Sequence, residues 1–151
     1  MSKTMSITIA LVCSCFLACA CDNDSVEKRF FNQPLANRVE RLRQYDLADQ
    51  YKIFRYGVDS KEPPFMELAL PIAERGATAV PLLLEQLNSR RDDVTLRDLL
   101  MIFEEMASSK SYDVKSDAAL MATLTSRVSE TKGRPWYDFC LKQLQAIKGS
   151  R

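Results

Sequence analysis

Residues 74–107 read ERGATAVPLLLEQLNSRRDDVTLRDLLMIFEEMA. Gly76 breaks the preceding segment, Thr78 stands where a cap is wanted, and Val80, Leu83, Leu84 and Leu87 follow at spacings of three and four. That period belongs to a helix with one buried face. Asp92 or Asp93 can cap the next helix, whose inward positions are Leu96, Leu99, Leu100, Phe103 and Met106. Two amphipathic helices joined by a short polar turn make an antiparallel hairpin, and the flanking chain repeats the design.

Toward the N-terminus, Leu35, Val39 and Leu42 fall at helical spacing. Asp46 can cap a second helix carrying Leu47, Tyr51 and Phe54, with Gly57 as its stop. Pro63 and Pro64 are placed to open a third, where proline's fixed φ and missing N–H do no harm. It carries Phe65, Leu68, Leu70 and Ile72 and ends at Gly76; Pro71 inside it predicts a kink. Toward the C-terminus, Ser116 or Asp117 opens a helix with Leu120, Leu124 and Val128 facing in, and Gly133 breaks it. Pro135 then starts a last helix with Trp136, Cys140, Leu144 and Ile147 on its apolar stripe, and residues 148–151 fray. No segment alternates with period two long enough for a strand. The expectation is an all-α domain over 35–148, with about seven helices in antiparallel hairpins.

The 74–88 stretch resembles the second helix of a HEAT-type repeat, in which a glycine turn leads into an Ala-Val-Pro opening and a leucine ridge. Residues 92–107 resemble the first helix of a following repeat. The resemblance implies one unit over 62–90, another over 92–131, and a final helix as a cap, in a short HEAT-like α-solenoid. An irregular helical bundle is the alternative, since the Ala-Val-Pro signature occurs once and residues 35–57 match nothing in the pattern. Solenoid units stack to bury their faces and leave a concave surface, so what the resemblance implies is a scaffold that binds proteins or peptides.

The N-terminus carries an address. After Lys3, residues 4–20 run 17 positions without a charge, which reads as a secretory signal peptide. Leu17-Ala18-Cys19-Ala20-Cys21 resembles a bacterial lipobox, implying cleavage of residues 1–20 and lipidation (palmitate among the acyl chains) of Cys21. Cys19 and Cys15 make poorer lipidation sites. Ala18-x-Ala20 also fits an ordinary secretory signal with the same scissile bond, and an uncleaved anchor is the third reading. Residues 21–34 show no period and read as a tether between lipid and domain. Asp22 resembles the signal that keeps some lipoproteins at the inner rather than the outer membrane. The expected location is therefore the cell envelope, lipid-anchored and facing the periplasm.

Composition narrows the chemistry. Of 151 residues, 21 are Lys or Arg, 20 are Asp or Glu and none is His. Balanced charge is not a nucleic-acid footprint, which needs a basic excess. Without His the chain lacks the commonest general base and metal ligand. Of five cysteines, three leave with the signal and Cys21 takes lipid, so Cys140 remains a lone thiol, expected to be buried. Asp92-Asp93 and Glu104-Glu105 do not converge on a helix, and Asp113 with Asp117 marks a helix start rather than an ion site. No catalytic, metal or cofactor site is expected. Aromatic residues are the lead for contact with a partner: Tyr51, Phe54, Trp136 and Phe139 as core, Tyr56, Tyr112 and Tyr137 as exposed contact residues. The basic group Lys28, Arg29, Arg38, Arg41 and Arg43 reads as a solvated face near the lipid end. These features point to a membrane-anchored, non-catalytic protein-binding scaffold. The alternatives are a periplasmic immunity-type inhibitor of a toxin and a structural envelope assembly factor.

Overall fold

The computed structural model describes residues 25–34 and 36–150, so the signal segment, Cys21, Asp22, Leu35 and Arg151 lie outside the described residues. All regular structure within them is helical. Eight α-helices follow in order: α1 (Val26–Phe31), α2 (Arg38–Leu42), α3 (Leu47–Asp59), α4 (Ala69–Ala73), α5 (Val80–Ser89), α6 (Asp93–Ser109), α7 (Ala118–Glu130) and α8 (Tyr137–Gly149). Single 3-10 turns sit at Met66–Leu68, Gly76–Thr78 and Val114–Ser116. No described helix is long and apolar enough to cross a membrane.

α6 is the central element and packs on α4 and α8, while α2 packs on α4. α1 lies on α3 and α3 on α4, while α5 packs on α6 and α7 on α8. The chain is thus all-α, with hairpins packed helix on helix as in a short solenoid or bundle. Most of α6 faces inward: Leu96, Leu99, Leu100, Ile102, Phe103 and Met106 are all sealed from solvent. Each such side chain contributes roughly 1.5–3 kcal/mol of burial.

Three carboxylates start helices by accepting an orphan backbone N–H. Asp46 takes Asp49 N at 2.8 Å, Asp92 takes Thr95 N at 2.7 Å, and Asp117 takes Leu120 N at 3.0 Å. Asp92 also accepts the Thr95 hydroxyl at 2.9 Å, which selects it over Asp93 as the cap. Thr78 is not a cap; its hydroxyl donates backward to Arg75 O at 2.7 Å, and α5 begins without a side-chain cap bond.

Several expectations are corrected. The tether over 21–34 is shorter than its lack of period suggested: Ser25 caps α1, and Phe30 is fully buried against Phe31 and Tyr45 at ring separations of 5.1 and 5.8 Å. Gly57 does not stop α3, which runs on to Asp59. A Cβ on Gly57 would lie 2.9 Å from Phe31 Cζ and 3.1 Å from Leu68 Cδ1, so the glycine is there to let α1 dock. The third helix does not start at the prolines: Pro63 and Pro64 precede a 3-10 turn, and α4 starts only at Ala69. Pro71 then sits in the first turn of α4, where its missing N–H costs nothing, and it imposes no mid-helix kink. At the other end α8 continues through Gly149 instead of fraying from Lys148.

Arginines sew the loops to the helices. Arg75 donates to Tyr45 O at 3.1 Å and Arg43 O at 3.3 Å, tying the α2–α3 turn to α4. The fully buried Gln50 amide serves the same turn, donating to Leu42 O at 3.0 Å and Tyr45 O at 3.1 Å. At the opposite edge Arg127 of α7 donates to Arg90 O at 2.9 Å, and Arg134 donates to Arg91 O at 3.2 Å. The α5–α6 turn is therefore held from α7 and from the loop that follows it.

Candidate ligand cleft between α3 and α5

An open cleft of about 470 Å³ separates α3 from α5. One wall is α3, which contributes Ala48, Tyr51, Lys52, Arg55 and Tyr56; α5 supplies Leu82 and Gln86, Arg90 stands just past its end, and Glu27 of α1 closes one rim. Helical spacing explains the wall, because residues 48, 51, 52, 55, 56 and 59 fall on one face of α3 at intervals of three and four.

Behind that wall lies a network of four charged side chains. Asp98, fully buried in mid-α6, accepts from Arg97 Nε at 2.8 Å and from its terminal nitrogen at 2.6 Å. Arg97 also reaches Asp59 at 2.6 Å, and its guanidinium lies 4.5 Å from the centre of the Trp136 ring. Arg55 bridges the two acids, 3.3 Å from Asp59 and 3.2 Å from Asp98. Burial pushes the Asp98 carboxyl up to about 6, against the pull of Arg97 and Arg55. A carboxylate this deep is tolerated because cations surround it; removing either sign would strand the other.

Tyr51 belongs to the same site. It is 5% exposed, and its hydroxyl lies beside the Arg55 guanidinium with no acceptor for its proton among the described residues. Burial raises its phenol to about 12, so it stays a proton donor at any physiological pH. The cleft thus combines a buried O–H that has no acceptor, guanidiniums from Arg55 and Arg90, and apolar surface from Ala48 and Leu82. Such a surface can hold an anionic acceptor on an apolar stem.

The aromatic residues expected as contacts separate. Tyr56 is half-buried, lines the cleft and packs 5.5 Å from Phe31, while the Lys61 ammonium lies 5.2 Å from its ring centre. Tyr112 lines a different hollow with Lys110 and Asp113, and its hydroxyl donates to Asp117 at 2.7 Å. Tyr137 is the first residue of α8, half-buried. Only Tyr56 of the three stands in the cleft. Tyr51 and Phe54 are core as expected, but Trp136 and Phe139 are half-buried and meet edge to face at 6.1 Å. Trp136 is kept at the surface because it covers Arg97.

Cys140 is a free, fully buried thiol, raised by burial to about 11. Among the described residues no cluster of three or more Cys, Asp or Glu side chains could hold a metal ion. The charge network was not foreseen from sequence. Its local signatures are Arg97-Asp98 within an otherwise apolar stretch of α6, and Arg55 with Asp59 at an i, i+4 spacing.

No protein-family model matches the chain, and no curated protein or solved structure matches it either.

Proposed function

We propose that the chain is a membrane-anchored scaffold of the bacterial envelope that binds a protein partner without catalysing a reaction. The lipobox-like sequence ending at Cys21 supports the anchor and the periplasmic orientation, with Asp22 favouring the inner membrane. The observation that carries the binding role is the open α3–α5 cleft, whose floor is fixed by the Arg55–Asp98–Arg97–Asp59 network while its mouth offers Tyr56, Leu82 and Arg90. Rigid walls with aromatic and arginine side chains are what interface anchors require.

The test is crosslinking of the full protein in its native membrane, followed by affinity capture and mass spectrometry. One recurrent partner at near-equal amounts is the expected result. Absence of any enriched protein across crosslinker chemistries would overturn the scaffold reading. The anchor is tested separately with Cys21→Ala, which should release the protein from membranes or block processing. Continued lipid labelling of that variant would move the lipidation site to Cys19.

A further inference from the structure

We infer that the α3–α5 cleft receives an acidic side chain, Asp or Glu flanked by apolar residues, from an extended segment of the partner. The inference rests on the protein-binding reading above and names the chemistry its partner must present.

Three features select this occupant. Arg90 is exposed at the mouth, and among the described residues its guanidinium has no ion-pair or hydrogen-bond partner, whereas Lys52 is engaged by Asp49 at 2.9 Å and Arg55 by Asp59 and Asp98. A free cation is therefore available at the rim. Deeper in, the Tyr51 hydroxyl is buried without an acceptor. An entering carboxylate would supply that acceptor and pair with Arg90 together, two charge-reinforced hydrogen bonds that no neutral group can match. Ala48 and Leu82 provide the apolar wall for the stem and its neighbours.

The acids on the lining set the limit. Glu27 and Asp59 also face the cleft. They repel a dense array of negative charge, such as an anionic bilayer surface or a nucleic-acid backbone, and leave room for one carboxylate at a time. A mixed rim of this kind selects by rejecting polyanions as well as by attracting the single acid.

The experiment uses the full chain in phosphatidylcholine nanodiscs. Its probes are three rhodamine-labelled, C-terminally amidated peptides of sequence Gly-Ser-Leu-X-Leu-Ser-Gly, with X as Glu, Gln or Lys, followed by fluorescence anisotropy. The Glu peptide should bind at least tenfold tighter than the Gln peptide. Arg90→Glu should abolish that preference and favour the Lys peptide; this exposed side chain holds nothing in the fold, so the variant stays folded. Tyr51→Phe should weaken the Glu peptide several-fold and leave the Gln peptide unchanged. Equal binding of the Glu and Gln peptides, or a preference unmoved by Arg90→Glu, would overturn the inference.

Nanodiscs containing phosphatidylglycerol form a further arm. If they block the Glu peptide from the wild type and not from the Tyr51→Phe variant, a lipid headgroup holds the site and the inference falls. A partner captured from membranes equally well by Arg90→Glu would defeat the cleft assignment and spare the scaffold. Peptide discrimination with no partner in the membrane would do the reverse.

Discussion

Arg55 Nε lies 3.2 Å from Asp98 Oδ2, joining a side chain on the cleft wall to a carboxylate that solvent does not reach. Through this contact and the Asp59–Arg97 pair the cleft surface and the centre of α6 share their charges. A change made in the core is therefore felt at the cleft.

Asp98 makes stability depend on pH with a defined sign. Its folded-state carboxyl is raised from 3.8 to about 6, so the folded protein holds this proton more tightly than the unfolded chain. The contribution is fully present below about pH 4 and is lost as pH rises through 6. Other carboxylates act in the opposite sense, among them Asp92, whose hydrogen bonds from Thr95 outweigh its burial and lower it. Asp98→Asn isolates the effect. The stability of wild type minus that of the variant, from urea melts, should fall between pH 4 and 7 by up to about 3 kcal/mol. A difference flat with pH would contradict the raised carboxyl.

Truncation is harsher than neutralisation. Asp98→Ala leaves the Arg97 and Arg55 guanidiniums facing a cavity with no acid between them. The expected loss is about 3–5 kcal/mol at pH 7. Denaturant unfolding measures it. A loss below about 1 kcal/mol would mean that Asp59 alone satisfies both arginines.

Phe30 tests where the folded unit begins. It is fully buried beneath Arg41, whose guanidinium lies 4.6 Å from its ring centre. Phe30→Ala should cost about 3–5 kcal/mol. Were residues before 35 only a tether, the substitution would leave the thermal midpoint unchanged.

Cys140 should resist modification. With its thiol sealed in the core and raised to about 11, native protein should react with maleimide no faster than it unfolds. Rapid labelling in the absence of denaturant would place the thiol at the surface.

What could be read in the sequence was local. Helical period marks the apolar faces of α5, α6, α7 and α8, and the Asp46, Asp92 and Asp117 caps follow from one carboxylate next to orphan N–H groups. What could not be read depends on contacts between distant segments. Gly57 looks like a stop until Phe31 needs the space its Cβ would fill. α1 is six residues long, too short to show a period, and is held by Phe30 and Phe31. The cleft joins α3 to α5 across a long sequence gap. Of its lining residues Tyr51 and Tyr56 stand out as aromatic, whereas the charges at 55, 59, 97 and 98 carry no sign of a shared network until the helices bring them together.

The arginine stitches from α7 and its following loop to Arg90 O and Arg91 O have a mechanical meaning. Arg90 is a wall of the cleft, yet its backbone is clamped by residues far along the chain. The mouth therefore cannot widen by α5 swinging outward alone; the C-terminal hairpin must travel with it. On the proposed reading, gripping a partner and bracing α7 are a single act, so force on a captured segment would pass into side chains 37 and 43 positions further along the chain.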